Sequence, residues 1–173
     1  MDRVLKNIFR GGIATEKIAR DAEFEALGTR VQRHVQRRFR GSLAIRAVDA
    51  GSCNGCELEI HALNNAFYAV ERFGIHFVAS PRHADVLLVT GPMGRHMQAA
   101  LRSAYAATPE PKWVVAMGVC SMNGGVFGES YACGGRVADV VPVDLEIPGC
   151  PPTPATLLKG LLALLQNPDK QEA

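Results

Sequence analysis

Aromatic side chains are scarce in this 173-residue sequence, at 6% with a single tryptophan, and net charge is scarcer still. Nineteen Lys and Arg stand against seventeen Asp and Glu, a balance of +2. Composition alone therefore points neither to nucleic acid nor to an acidic partner, and it argues against a highly charged tail protein. No run of about 18 uncharged apolar residues exists, so no segment reads as a bilayer-spanning helix. The first residues lack an apolar core followed by a small-residue cleavage site, and no secretory signal is expected. Neither G-x-x-x-x-G-K-[ST] nor a G-x-G-x-x-G after a strand occurs, which argues against a nucleotide site. The five histidines show no metal-ligand spacing, and there is no internal repeat or low-complexity stretch. What remains is ordinary globular usage, 47% apolar and 21% charged, in a length that suits one domain and a tail.

The charge is unevenly placed. Residues 1–46 hold eleven Lys or Arg and five Asp or Glu, whereas residues 47–173 hold eight and twelve. Val4, Leu5, Ile8 and Phe9 recur at helical spacing before Gly11-Gly12, and Leu27, Val31, Val35 and Phe39 lie four apart. Arg30, Arg33, Arg37, Arg38 and Arg40 surround the second set, which makes a basic amphipathic helix. Such a helix suits an anionic membrane surface, an acidic partner, nucleic acid, or the chain's own body. The expected organisation is a basic amphipathic N-terminal arm (1–41), a domain (42–166) and a polar tail (167–173).

From Ser42 onward, strand-like and helix-like segments alternate. Strands are expected at 43–48, 75–78, 85–90, 112–117 and, more weakly, Val137 to Val143. Helices are expected from Glu57 to Arg72, Met93 to Ala107 and Thr153 to Leu165. The third strand is almost wholly apolar, as a buried parallel strand should be. This alternation predicts an α/β, flavodoxin-like doubly wound parallel sheet, in which ligands bind at the carboxyl ends of the strands.

Four of the five cysteines fall in loops at that edge. Cys53 and Cys56 follow the first strand in Gly51-Ser52-Cys53-Asn54-Gly55-Cys56, Cys120 follows the fourth, and Cys150 precedes the last helix. Without a secretory context they read as thiols or metal ligands rather than disulfides. Four thiolates suit a structural zinc or a four-iron cluster. One C-x-x-C pair joined by two distant singletons, on a chain with a large core of its own, favours a [4Fe-4S] cluster. Cys133, in a glycine-rich loop, could replace Cys120 as a ligand, but it reads better as a small packed residue.

Cys53-Asn54-Gly55-Cys56-Glu57-Leu58-Glu59-Ile60, Val89-Thr90-Gly91-Pro92, Ala116-Met117-Gly118-Val119-Cys120 and Ile147-Pro148-Gly149-Cys150-Pro151-Pro152, in this order, resemble one family. It is the small subunit of [NiFe] hydrogenases and the homologous B-type, 20 kDa subunit of respiratory complex I, matched over roughly 42–165. Complex I subunits carry adjacent cysteines at the first motif. C-N-G-C followed by acidic residues instead looks like group 4, the membrane-bound, energy-converting hydrogenases, including formate hydrogenlyase-like and CO-linked complexes. The alternative is a B-type subunit of a complex I-like quinone oxidoreductase, or of a hydrogenase-related complex lacking nickel.

The resemblance implies that Cys53, Cys56, Cys120 and Cys150 hold one proximal [4Fe-4S] cluster, with no Cys or His after Cys150 to serve another. It also implies an electron-transfer subunit of an oxidoreductase, not catalytic alone. The partners it implies are a large catalytic subunit, a ferredoxin-like iron–sulfur subunit and membrane-arm subunits reached through the N-terminal arm, with no nucleic acid. The place implied is peripheral, on the cytoplasmic face of the inner membrane. Glu59 matches an acidic position of the family motif, and it and Glu57 are candidates for a proton relay beside the cluster. Arg95 is a candidate to pair with a carboxylate of the large subunit.

Overall fold

A computed structural model describes residues 21–167, together with Lys6 and Ala19. The turn expected over Val4–Phe9 and nearly all of the polar tail lie outside these residues. Five strands form: β1 (Leu43–Asp49), β2 (Ile75–Phe77), β3 (Val86–Thr90), β4 (Trp113–Met117) and β5 (Leu145–Ile147). All pair in parallel, in the order β2-β1-β3-β4-β5. This is the doubly wound arrangement expected, with its reversal of strand order between β1 and β3.

Every residue of β3 and β4 is buried, because helices cover both faces. Val86, Leu88, Val115 and Met117 enter one core, shared with α1 (Ala22–Phe39), α2 (Gly55–Leu63) and α5 (Pro154–Gln166). Leu87, Val89, Val114 and Ala116 enter the other, closed by Leu101 of α3 (Gln98–Ala107) with Val137 and Val141. The period of two along each strand sends alternate side chains to opposite faces.

The basic helix α1 is capped by Asp21, whose carboxylate accepts from the Glu23 and Phe24 N–H groups. Its apolar stripe, Phe24, Leu27, Val31 and Val35, is buried within the core shared with α5, and each such side chain contributes about 1.5–3 kcal/mol of burial. Glu25 forms a two-pronged ion pair with Arg72, which also stacks on Phe73 at 4.4 Å and fixes α1 to the turn Val70–Phe73. The apolar face thus rests on the chain's own body; Arg30, Arg33, Arg37 and Arg40 are exposed, while half-buried Arg38 donates to Asn167 O at 2.9 Å.

Three expected elements differ. The helix expected over Glu57–Arg72 ends at Leu63, because the Asn65 side chain captures the Phe67 and Tyr68 N–H groups at 2.9 and 3.0 Å in a local turn. Leu58 and Phe67, both in its expected apolar stripe, are exposed; the helix buries Cys56, Ile60 and Leu63. Met93 to Met97 is not α-helix: Gly94 pairs across to Cys133, and α3 begins only at Gln98 after a 3₁₀ turn. Val137–Val143 is not the fifth strand. Pro142 brings no N–H to a ladder, while Val137 and Val141, at helical spacing, cap the second core through a 3₁₀ turn. The strand is Leu145–Ile147.

Aspartates latch the amino edge of the sheet. Asp85 exchanges N–H···O bonds with Ala44 and accepts the Ala44 N–H on Oδ2 at 2.8 Å; Asp144 does the same for Val114. Asp85→Ala should cost about 1–3 kcal/mol in chemical denaturation by orphaning the Ala44 N–H, whereas Asp85→Asn keeps an acceptor. Burial lifts the Asp85 carboxyl above the usual carboxylate value, and the Ala44 N–H draws it partly back. The folded chain therefore holds that proton more tightly than the unfolded chain. Its stabilising contribution is complete below the unfolded value and is lost as pH climbs through the interval just above it. Asp85→Asn should remove that decline from the stability–pH profile.

Candidate metal centre

The loop after β1 is shaped by Asp49, whose Oδ1 accepts from the Gly51 and Ser52 N–H groups at 2.8 and 2.7 Å. Ser52 Oγ in turn accepts from the Asn54 N–H at 3.0 Å, and Asn54 enters α2 with a left-handed φ of 71°. Cys53 and Cys56 therefore leave one tight loop within three residues of each other, Cys53 exposed and Cys56 buried.

The exits of β4 and β5 are tied together. The Gly118 N–H donates to Ile147 O at 2.8 Å and the Val119 N–H to Gly149 O at 2.9 Å. This places Cys120, in the short helix α4 (Val119–Asn123), beside Cys150, and both line an open pocket of about 340 Å³ with Val119, Asn123, Gly125 and Val126. Gly118 also lets Cys56 in. A methyl group there would lie 2.8 Å from Cys56 Sγ, which reaches to 3.9 Å from Met117 O. Gly91 does the same for the loop after β3: a Cβ would come within 2.5 Å of Ser52 N. The two loops flanking the reversal point are pressed together by backbone contact.

The four thiols bear on one another electrostatically. Burial pushes the Cys56 thiol up to about 12, and Glu57, Cys120, Cys53 and Cys150 each add to the rise. Cys120 is also raised, by burial and then by Cys150 and Cys53, against backbone N–H groups that lower it. Cys133 does not belong to this set. It is half-buried in the Ser130–Gly135 loop, opposite Gly94, where its N–H donates to Ser130 Oγ at 3.1 Å.

Four thiols are a donor set that suits a metal centre. Four clustered thiols, two of them buried, ionise together only if a cation joins them. Yet no three His, Cys, Asp or Glu side chains among the described residues are gathered closely enough to hold a single ion.

Glu57 lies behind this group. Both its carboxylate oxygens accept hydroxyl hydrogen bonds, one from Ser52 and one from Thr90. Glu59, half-buried on α2 one turn after Cys56, has no hydrogen bond or ion pair among the described residues. Arg95 is exposed, and Met93 is fully buried in the second core. Ser52 and Thr90 were not legible as site residues. The available signal was a threonine closing the otherwise apolar Val86–Thr90 at the edge where ligands bind; it is 1% exposed. Of the pocket's lining residues Val126 is 90% exposed, and Phe127 and Tyr131, further along the chain, are exposed as well.

The sequence profile of the family described as "NADH ubiquinone oxidoreductase, 20 Kd subunit" matches residues 53–164. Formate hydrogenlyase subunit 7 of Escherichia coli (strain K12) is 44% identical over 129 residues, covering 75% of this chain and 51% of that protein. The chain thus spans about half the length of that relative. The B-type NADH-quinone oxidoreductase subunit of Citrifermentans bemidjiense is 46% identical over 109 residues, 63% of this chain and 64% of that one. Among solved structures, a chain of the membrane-bound sulfane sulfur reductase, an archaeal respiratory membrane complex, superposes with a TM-score of 0.68 at 33% identity, over 83% of this chain and 78% of that one.

Gly118 and Gly128 both occupy backbone conformations that only glycine adopts freely, but nothing lies within 4 Å of a Cβ at Gly128. Alanine at either should cost about 1–3 kcal/mol of backbone strain. Gly118→Ala should in addition displace Cys56 Sγ and lower metal content after anaerobic purification, which Gly128→Ala should not. Equal metal content in the two variants would show that Gly118 does not shape the site.

Proposed function

The chain belongs to the NADH ubiquinone oxidoreductase 20 kDa subunit family, relatives of which are subunits of hydrogenase and quinone-reducing oxidoreductase complexes, and on that footing we propose that it is the electron-transfer small subunit of a membrane-bound [NiFe] hydrogenase of the formate hydrogenlyase-like or CO-linked kind. In this reading Cys53, Cys56, Cys120 and Cys150 hold one [4Fe-4S] cluster. The convergence of four thiols from three strand exits carries the proposal. When bound, such a cluster takes up and releases one electron at a time.

The chain's own residues do the rest. Cys56 and Cys120 bury their sulfurs, and Cys53 and Cys150 present theirs at the surface, where electrons enter and leave. Exposed Val126 on the pocket, with exposed Phe127 and Tyr131 in the same loop region, suits a large catalytic subunit docking there. A ferredoxin-like subunit is the complementary electron partner. Glu59, half-buried and without a partner among the described residues, is suited to carry a proton near the same edge.

No helix among the described residues is long and apolar enough to cross a membrane. We place the subunit peripherally, at the cytoplasmic face, with the outward arginines of α1 toward the membrane arm and its anionic lipid. The alternative, a B-type subunit of a quinone-reducing or nickel-free complex, is supported by the similarity to the NADH-quinone oxidoreductase subunit of Citrifermentans bemidjiense. The separation of Cys53 and Cys56 by two residues favours the hydrogenase reading.

Anaerobically purified protein should be brown, with a reduced-state EPR signal and four irons per chain. Cys120→Ser should abolish the signal and Cys133→Ser should leave it. Colourless protein with one tightly held zinc would overturn the cluster, and a co-purified large subunit without nickel would move the assignment to the alternative. Glu59→Gln should slow proton-coupled turnover of the complex while leaving the EPR spectrum intact; unchanged turnover would remove the relay.

A further inference from the structure

The Glu57 carboxylate is fastened from two sides. Thr90, at the carboxyl end of β3, donates its hydroxyl to Oε1, and Ser52, in the loop just before Cys53, donates to Oε2. Ser52 is itself held, because its N–H is bound by Asp49 and its Oγ accepts the Asn54 N–H. Gly91 presses the Thr90 loop against Ser52, so neither donor moves without the other. The carboxylate is therefore fixed directly behind the loop that carries Cys53 and Cys56.

Its partners are both neutral. Arg46 and His61 line the same shallow pocket as Glu57, yet neither forms an ion pair with it, and no other cation among the described residues does. Two hydroxyl donors leave the charge of a carboxylate uncancelled. A structural latch between β1 and β3 would be served as well by a neutral amide. A carboxylate in its place adds a full negative charge on the residue next to Cys56, held by the Ser52 that precedes Cys53.

We propose that Ser52 and Thr90 are positioning residues that hold Glu57 as a fixed negative charge behind Cys56, and that this charge lowers the one-electron potential of the metal group the four cysteines hold. The inference rests on the cluster reading given above. Reduction adds one electron to the cluster and moves no atom or proton at Glu57; in the test the electron comes from a low-potential one-electron reductant. A negative charge nearby opposes that electron, so its removal makes reduction easier.

The test is a redox titration followed by EPR on the full chain in its native complex. Glu57→Gln should raise the midpoint potential by about 59 mV, a roughly tenfold change in the ratio of reduced to oxidised cluster for a one-electron couple. Thr90→Val, which frees the carboxylate while preserving side-chain shape, should move it the same way by less. Glu57→Asp keeps the charge and should return most of the shift. Iron content and thermal unfolding of the complex, measured in parallel, should be unchanged in Glu57→Gln. A wild-type signal whose potential Glu57→Gln leaves unmoved overturns this inference alone, as does a shift equalled by Glu57→Asp. A wild-type chain with no reducible iron–sulfur signal overturns the cluster reading and this inference with it.

Discussion

Thiolates repel one another, and a fold that gathers four of them at one edge has to supply both the rigidity to hold them and the cation to join them. The carboxyl edge of the sheet is built around that constraint. The β4 and β5 exits are hydrogen-bonded to each other, the loops after β1 and β3 are in backbone contact at Gly91 and Ser52, and Gly118 withholds a side chain so that Cys56 Sγ can approach. The cost of burying Cys56 as an anion shows in its thiol, pushed to about 12 by burial and by its acidic neighbours. The edge is preorganised, and in the proposed function a bound metal group would relieve the electrostatic conflict.

The opposite edge and the two helical layers make this possible. Asp85 and Asp144 pin the amino ends of neighbouring strands, so the register that reaches the carboxyl edge is set from below. α1 docks its apolar stripe within the core shared with α5 and leaves Arg30, Arg33 and Arg37 exposed, which lets one helix stabilise the domain and still present a basic surface. Exposed Val126 lines the pocket that holds Cys120 and Cys150, where a docking partner would exclude water and strengthen every electrostatic interaction.

Much of this was legible in the chain. The four motif segments pointed to the family, and β3 and β4 appeared as apolar runs close to their observed bounds because parallel strands buried on both faces have no polar side to obscure them. The errors share a cause. Val137 to Val143 reads as a strand by composition, but Val137 and Val141 sit four apart and Pro142 interrupts any ladder, so local geometry prevails. The helix over Glu57–Arg72 continues in apolar spacing past Asn64 and Asn65, yet a side-chain turn at Asn65 ends it, and hydrophobic periodicity does not register such hydrogen bonds.

The order of apolar segments, the C-x-x-C spacing and the basic stripe of α1 are properties of neighbouring residues, and they settled the class of fold, the family and the candidate ligands before any coordinates. Which of Cys120 and Cys133 joins Cys53, Cys56 and Cys150, and that Ser52 and Thr90 clasp Glu57, depend on groups distant in sequence meeting in space. Those meetings arise only when parallel pairing brings the exits of β1, β3, β4 and β5 to one edge, because sequence separation carries no information about distance until the sheet has formed.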